Sequence, residues 1–293
     1  DRMVGRRVRG DGRDRDADAL PRGMASNPFD AGAGPASEDY PTVSLGTVLT
    51  SGSAVALRHM PHFLGASLML FLAYIVSLMM LCIGILFTAP LMMWGMYRFI
   101  LSVADGEADF AELWSAADDP GRIFLQGWGL ILLLMVVMSP AMAAAVAGQL
   151  AAEQDVVPPW LGAAAPSVVG GVWAAIVAPL MYTPLVWADT AASPTEALRR
   201  SLDGMKGSWG AVAALAVITQ VLMLPNTVFG VYIEERTAAL EAAPPEVVLG
   251  LAGEVMAATA GLYLVLFVVG WLSTMWSATA YRQVFPRPSQ SRG

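Results

Sequence analysis

Charge is scarce in this chain. Only 14% of its 293 residues are Asp, Glu, Lys or Arg, about half the share of a typical soluble domain. Hydrophobic residues make up 56%, and the mean hydropathy is +0.57. A soluble fold of this size lacks the polar side chains to cover that much apolar surface. The composition excludes a large soluble catalytic domain and predicts a multi-pass membrane protein.

Other absences narrow the chemistry. Cys82 is the single cysteine, so no intramolecular disulfide and no thiolate metal cluster can form. Histidine is limited to His59 and His62, too few for a histidine metal site, although carboxylate ligands stay open. Lys206 is the one lysine. The net charge of −7 argues against bulk nucleic-acid binding. No HExxH, GxSxG or P-loop pattern occurs. No Ser/His pair or carboxylate dyad falls inside an apolar run. The expectation is a protein without enzymatic activity and without a cofactor.

Apolar runs are what the chain does have. Blocks cover about 63–104, 123–148, 166–188, 208–231 and 255–280. Four of them have the length of a single span, about 20 residues. The first is longer. Between Leu68 and Ala104 the only charge is Arg98. As one helix that stretch would reach about 55 Å, against a hydrocarbon core of about 30 Å. Two spans with a break between Cys82 and Pro90 fit better, Gly84 and Pro90 being the local helix breakers. That makes six spans.

Six spans sort the charges. One face receives Arg58, Arg98, Arg122, Arg199, Arg200, Lys206, Arg282, Arg287 and Arg292. The other receives Arg236 among Glu153, Asp155, Glu234, Glu235, Glu241, Glu246 and Glu254. The positive-inside rule then puts both termini in the cytoplasm. The expected location is a bacterial inner membrane, with a membrane domain over 42–285 and a short C-terminal tail over 286–293. Residues 1–41 form an N-terminal tail expected to be disordered. Its first 23 residues are an Arg/Asp/Gly tract with little to bury. They read as upstream sequence ahead of Met24, or as a basic arm.

Ala89-Pro90-Leu91-Met92 recurs as Ala178-Pro179-Leu180-Met181. Each copy lies in the second helix of an expected hairpin and leads to an amphipathic segment. Those segments cover 110–124 and 193–209, and a third at 44–63 precedes the first span. The expected fold is an all-α membrane protein. Its six transmembrane helices form three parallel pseudo-repeats, each an amphipathic surface helix plus a helical hairpin, over 42–104, 105–190 and 191–285. Two spans per unit insert every unit the same way round.

The segment at 193–209 is the best written. Ser193, Pro194 and Glu196 fit N-cap, N1 and N3 of a capping box. Leu198, Leu202, Met205 and Trp209 align at helical spacing. Arg199, Arg200, Asp203 and Lys206 take the rest. Such a helix lies among headgroups and offers Arg199, Arg200, Lys206 and Trp209 to anionic lipid or to a partner protein. At 109–114, Asp109 fits N-cap and Glu112 N3, and this segment is expected to pack on protein. At 44–63, Leu45, Val48, Leu49 and Gly52 share one side.

Ionisable groups inside the spans point by default to ion pathways. Here Arg98 and Asp189 sit near span ends, where snorkelling or capping accounts for them. Gln126, Gln149, Thr183, Gln220 and Asn226 are expected to bond between helices. Pro179 and Pro184 flank Met181-Tyr182-Thr183, the best candidate for an unwound segment and a solute site.

Three stretches carry a resemblance. They are Gly95-Met96-Tyr97-Arg98 with Asp105-Gly106-Glu107 and Phe110–Trp114, then Pro194–Ser201 with Lys206-Gly207-Ser208-Trp209, and Tyr281. Together the chain resembles a loose group of bacterial multi-pass membrane proteins, among them the membrane domain attached to some glycerophosphodiester phosphodiesterases. The likeness implies a helical domain of about six spans without an assigned activity. No stretch of these residues could be the soluble phosphodiesterase domain, so that activity is not carried over. Two functions follow as expectations. One is a membrane organiser or accessory subunit contacting lipid or partner proteins. The other is a transporter of an uncharged or amphipathic solute near Met181, Tyr182 and Thr183.

Overall fold

Every element of the computed structural model is helical, and it describes residues 40–79, 83–154, 156, 159–241 and 243–287. The expectations for residues 1–39, Cys82, Asp155 and Arg292 lie outside these residues.

The helices are α1 (Leu45–Arg58), α2 (Met60–Met79), α3 (Ile83–Ala104), α4 (Pro120–Glu153), α5 (Pro159–Ile176), α6 (Thr183–Thr190), α7 (Pro194–Met205), α8 (Trp209–Glu241) and α9 (Pro245–Val284). Tight 3₁₀ turns cover Phe110–Asp118, Ala178–Tyr182 and Lys206–Ser208. Among the described residues, five helices are long and apolar enough to cross a membrane. Counting Ser167–Ile176 and Ala178–Thr190 as one span bent by 82° gives six. The chain is an all-α, membrane-spanning protein.

One sequence expectation needs correction, the role of Pro90 as a helix breaker. The first block forms two helices, one up to Met79 and one from Ile83, and the expected break at Cys82 falls outside the described residues. Pro90 lies inside α3 and does not end a helix. The α-helix of the fourth span is interrupted over residues 177–182, which include Met181 and Tyr182, while Thr183 begins α6. The span bends at Val177 and tightens into the 3₁₀ turn that follows.

At four prolines, Pro90, Pro140, Pro179 and Pro184, a side chain meets the carbonyl that the proline orphans. A proline at position i cannot bond the carbonyl at i−4, and lipid offers no substitute donor. Trp128 Nε1 donates to the Leu86 carbonyl at 3.0 Å, four residues before Pro90. Trp209 Nε1 donates to Ala175 at 3.1 Å, four residues before Pro179. Ser139 Oγ serves Val136 at 2.8 Å ahead of Pro140, and Thr183 Oγ1 serves Leu180 at 2.6 Å ahead of Pro184. Both copies of Ala-Pro-Leu-Met are thus answered by a tryptophan near the start of the next hairpin. Trp128→Phe should cost about 1–3 kcal/mol, the penalty of an unpaired buried acceptor. Unfolding in detergent tests this. Trp114→Phe, at a ring that is half exposed, should change nothing.

Packing follows a rotation. α2 packs on α3, α4 on α5, and α8 on α9. Each short segment ahead of a hairpin docks on the second helix of the hairpin before it. Phe110–Asp118 lies on α3, where Gly95 is pressed beneath the Leu113 carbonyl and Trp94 Nε1 donates to Ser115 Oγ at 3.1 Å. α7 lies on α6 and the Ala178–Tyr182 turn, with Ser201 Oγ donating to the Pro179 carbonyl. α1 lies on α9, closing the ring. There Trp271 Nε1 donates to the Ala56 carbonyl at 2.7 Å and Trp276 Nε1 to Ser53 Oγ at 2.9 Å.

Candidate functional site

The bend at Val177 turns the fourth span aside and opens space around it. An inner cavity of about 250 Å³ lies among α3, α5, α6, α8 and α9. Hydroxyls and one amide line much of it, from Tyr97, Tyr182, Thr219, Gln220, Ser273, Thr274 and Ser277. An outer groove of about 540 Å³ runs between α5 and α8 and is lined almost wholly by apolar side chains such as Val168, Val172, Val217 and Leu224. Gln220 borders both spaces. Close approach of the helices here depends on Gly171, whose position lies 3.4 Å from the Gln220 side chain for an added Cβ.

The candidate solute residues divide. Met181 and Tyr182 line the inner cavity. Thr183 is fully buried and spends its hydroxyl on Leu180, so it faces no ligand. Sequence reasoning missed Gln220 as a cavity residue. It expected an interhelical hydrogen bond there, whereas Gln220 makes no side-chain hydrogen bond among the described residues. Gln126 does bond between helices, accepting from Trp187 Nε1 at 3.3 Å. The Asn226 Oδ1 atom is buried without a partner. The Gln149 side chain lies outside the described residues.

Charged groups gather elsewhere. The C-terminal ends of α3, α6 and α9 converge on one cluster. Arg282 on α9 donates through Nη2 to Asp105 at 2.8 Å and through Nη1 to Asp189 at 2.8 Å. Tyr281 donates its hydroxyl to Asp189 at 2.8 Å. Arg287 reaches Glu107 at 2.5 Å, and Arg98 holds Glu112 through two bonds at 2.8 and 3.1 Å. Asp189 and Arg98 are therefore ion-pair members, a correction to the snorkelling and capping expected of them. Gly106, at φ 83°, makes the turn between Asp105 and Glu107. The cluster holds cations and anions in mutual pairs, and no group of three or more metal-ligating side chains occurs among the described residues.

The segments just before α1 and at the end of α9 meet loop residues on this same face. The Val43 amide donates to Ser208 Oγ at 2.8 Å and the Ser44 amide to Gln283 Oε1 at 2.9 Å. Arg122 donates to the Ala191 carbonyl at 3.1 Å. The Tyr40 and Phe285 rings lie 5.9 Å apart. At the other end of the last hairpin, Arg236 pairs with Glu254 at 3.3 Å.

On α7 the apolar stripe divides, Met205 turning into the protein and Leu202 and Trp209 turning outward. Ala197, Ser201, Gly204 and Met205 are buried, while Leu202 and Trp209 are exposed. Small residues win because Phe285 presses on Gly204, leaving no room for a larger side chain. Ser193 caps as expected, accepting from the Glu196 amide at 3.4 Å. The returning half of the box is missing: Glu196 pairs with Arg200 at 2.7 Å. Asp109 likewise caps through the Ala111 amide at 2.8 Å, and Glu112 turns to Arg98. Arg199 is 79% exposed, and Lys206 and Trp209 are exposed beside it.

Comparison with protein-family models, with curated proteins and with solved structures finds no match to this chain.

Proposed function

We propose that this chain is a non-enzymatic membrane protein that takes an uncharged or amphipathic molecule from the bilayer into the cavity beside its bent fourth span. Of the two functions set out from the sequence, this is the transporter. The observation that carries it is a polar cavity next to an apolar groove, with Gln220 on the border of both. A dry, close-packed centre would have favoured the organiser instead.

The same reading makes the domain three parallel pseudo-repeats in a bacterial inner membrane with its ends in the cytoplasm. Three observations support the repeats. The ends of α3, α6 and α9 meet at Arg282. Each short segment docks one hairpin back around the ring. Each Ala-Pro-Leu-Met copy is answered by a following tryptophan. The cytoplasmic placement rests on the arginines gathered at that face. The likeness to the phosphodiesterase-associated membrane domain belongs to this proposal as well.

A secondary role in lipid contact is favoured by α7. Arg199, Lys206, Leu202 and Trp209 are all exposed, a suitable mixture for the headgroup layer. Arg200 contributes less, being held by Glu196.

Purified in mild detergent, the protein should retain a bilayer-derived amphipath that mass spectrometry detects. Ala216→Trp, at a residue lining the inner cavity, should abolish retention. Leu132→Trp, at a position 58% exposed, should leave it intact. Equal retention in both variants contradicts the proposal.

A further inference from the structure

The geometry points to a bilayer lipid alcohol as the ligand: a neutral head bearing a free hydroxyl, seated in the inner cavity, with its hydrocarbon tail in the groove between α5 and α8. This rests on the proposed function and names its substrate class.

Size divides the ligand into two parts. The inner space of about 250 Å³ is below the usual range for a whole small-molecule site, about 300–1,000 Å³. It suits a head group alone. The groove of about 540 Å³ takes the remainder, and its valine and leucine lining suits hydrocarbon. Gln220 stands where head meets tail.

Charge then limits the head. Among the described residues lining either space there is no Asp, Glu, Lys, Arg or His. A phosphate or ammonium placed there would leave water without gaining a counter-charge, which strongly disfavours it. The charged side chains of the α3, α6 and α9 ends are already engaged with one another.

Hydrogen bonding specifies the head further. Ser273 and Thr274 donate to the Gly270 carbonyl at 2.9 and 2.7 Å, and Ser277 donates to the Ser273 carbonyl at 2.9 Å. With their hydrogens spent, Ser273 and Thr274 offer lone pairs to the cavity, while Ser277 shares a hydrogen bond with the Tyr182 hydroxyl. A ligand that only accepts cannot use these three and is left with the donors of Tyr97, Thr219 and Gln220. One that donates an O–H can. Gln220 completes the set, its amide able to donate to the ligand oxygen and to accept from its hydroxyl.

The test uses the full chain in nanodiscs doped equally with dioleoylglycerol, its acetate ester and dioleoyl phosphatidic acid. Lipid retained on re-purification is counted by mass spectrometry. Dioleoylglycerol should be enriched about tenfold over each of the others, the worth of one satisfied against one unsatisfied hydrogen bond. Gln220→Leu, close in volume, should erase that preference with unchanged thermal unfolding. Retention that Ala216→Trp abolishes, but that favours the acetate or the phosphatidate or shows no preference, overturns the alcohol assignment and leaves the proposed function standing. A preference that survives Gln220→Leu also overturns it. Retention of none of the three, or retention indifferent to Ala216→Trp, overturns both.

Discussion

Arg282→Met should destabilise the folded protein by about 3–5 kcal/mol, the cost of breaking a buried ion pair and stranding its partner charges. Asp189 loses its cation, and Asp105 keeps only Arg287, at 3.9 Å. Asp105 and Asp189 are 12% and 21% exposed, and Arg282 is 14% exposed. Little water reaches them to compensate. The three residues end three different helices, so the loss should also loosen α3, α6 and α9 from one another. Arg122→Met supplies the contrast. Its pair with Asp119 is 41% and 50% exposed, and such surface pairs contribute about 0–1 kcal/mol. Unfolding of both variants in detergent micelles measures the difference. Equal stabilities would mean that Arg282 does not hold the three ends together.

Trp271→Ala comes next, at about 3–5 kcal/mol for a large aromatic removed from a packed site. Trp271 is 1% exposed and stacks on Phe63 with ring centroids 4.0 Å apart. Its indole N–H also holds the Ala56 carbonyl. One side chain therefore joins α1, α2 and α9, the contact that closes the ring of hairpins. Within lipid the driving force is packing and hydrogen bonding, since the tails are as apolar as the helix faces. Trp271→Phe separates the two contributions. It should recover most of the packing and still lack the hydrogen bond, leaving a deficit of about 1–3 kcal/mol. Full stability in the alanine variant would contradict the ring-closing role.

The helical spans were legible because hydropathy reports each residue's own preference, with no need of its neighbours. So were the helix caps at Ser193 and Asp109, where the donor and acceptor are two or three residues apart. Partners far apart in sequence leave no such spacing. Arg282 finds Asp105 across 177 residues and Asp189 across 93, so each looked like an isolated charge at a span end. The buried face of α7 was not legible for a related reason. Periodicity weighs Leu202 and Trp209 heavily, but close contact with Phe285 selects Gly204 and its small neighbours. A usable signal was passed over in the nine tryptophans. Each span proline implies an orphaned carbonyl, and an apolar chain has few donors besides indole to answer it.

Cysteine labelling from each side of the membrane tests the central claim, that the ends of α3, α6 and α9 share one face. In a Cys82→Ser background, single cysteines replace Glu107, Thr195, Arg287 and Arg236 in turn. An impermeant thiol reagent should reach positions 107, 195 and 287 from the same side and position 236 only from the other. Position 287 labelling together with 236, and apart from 107 and 195, would contradict the arrangement of three hairpins inserted the same way round.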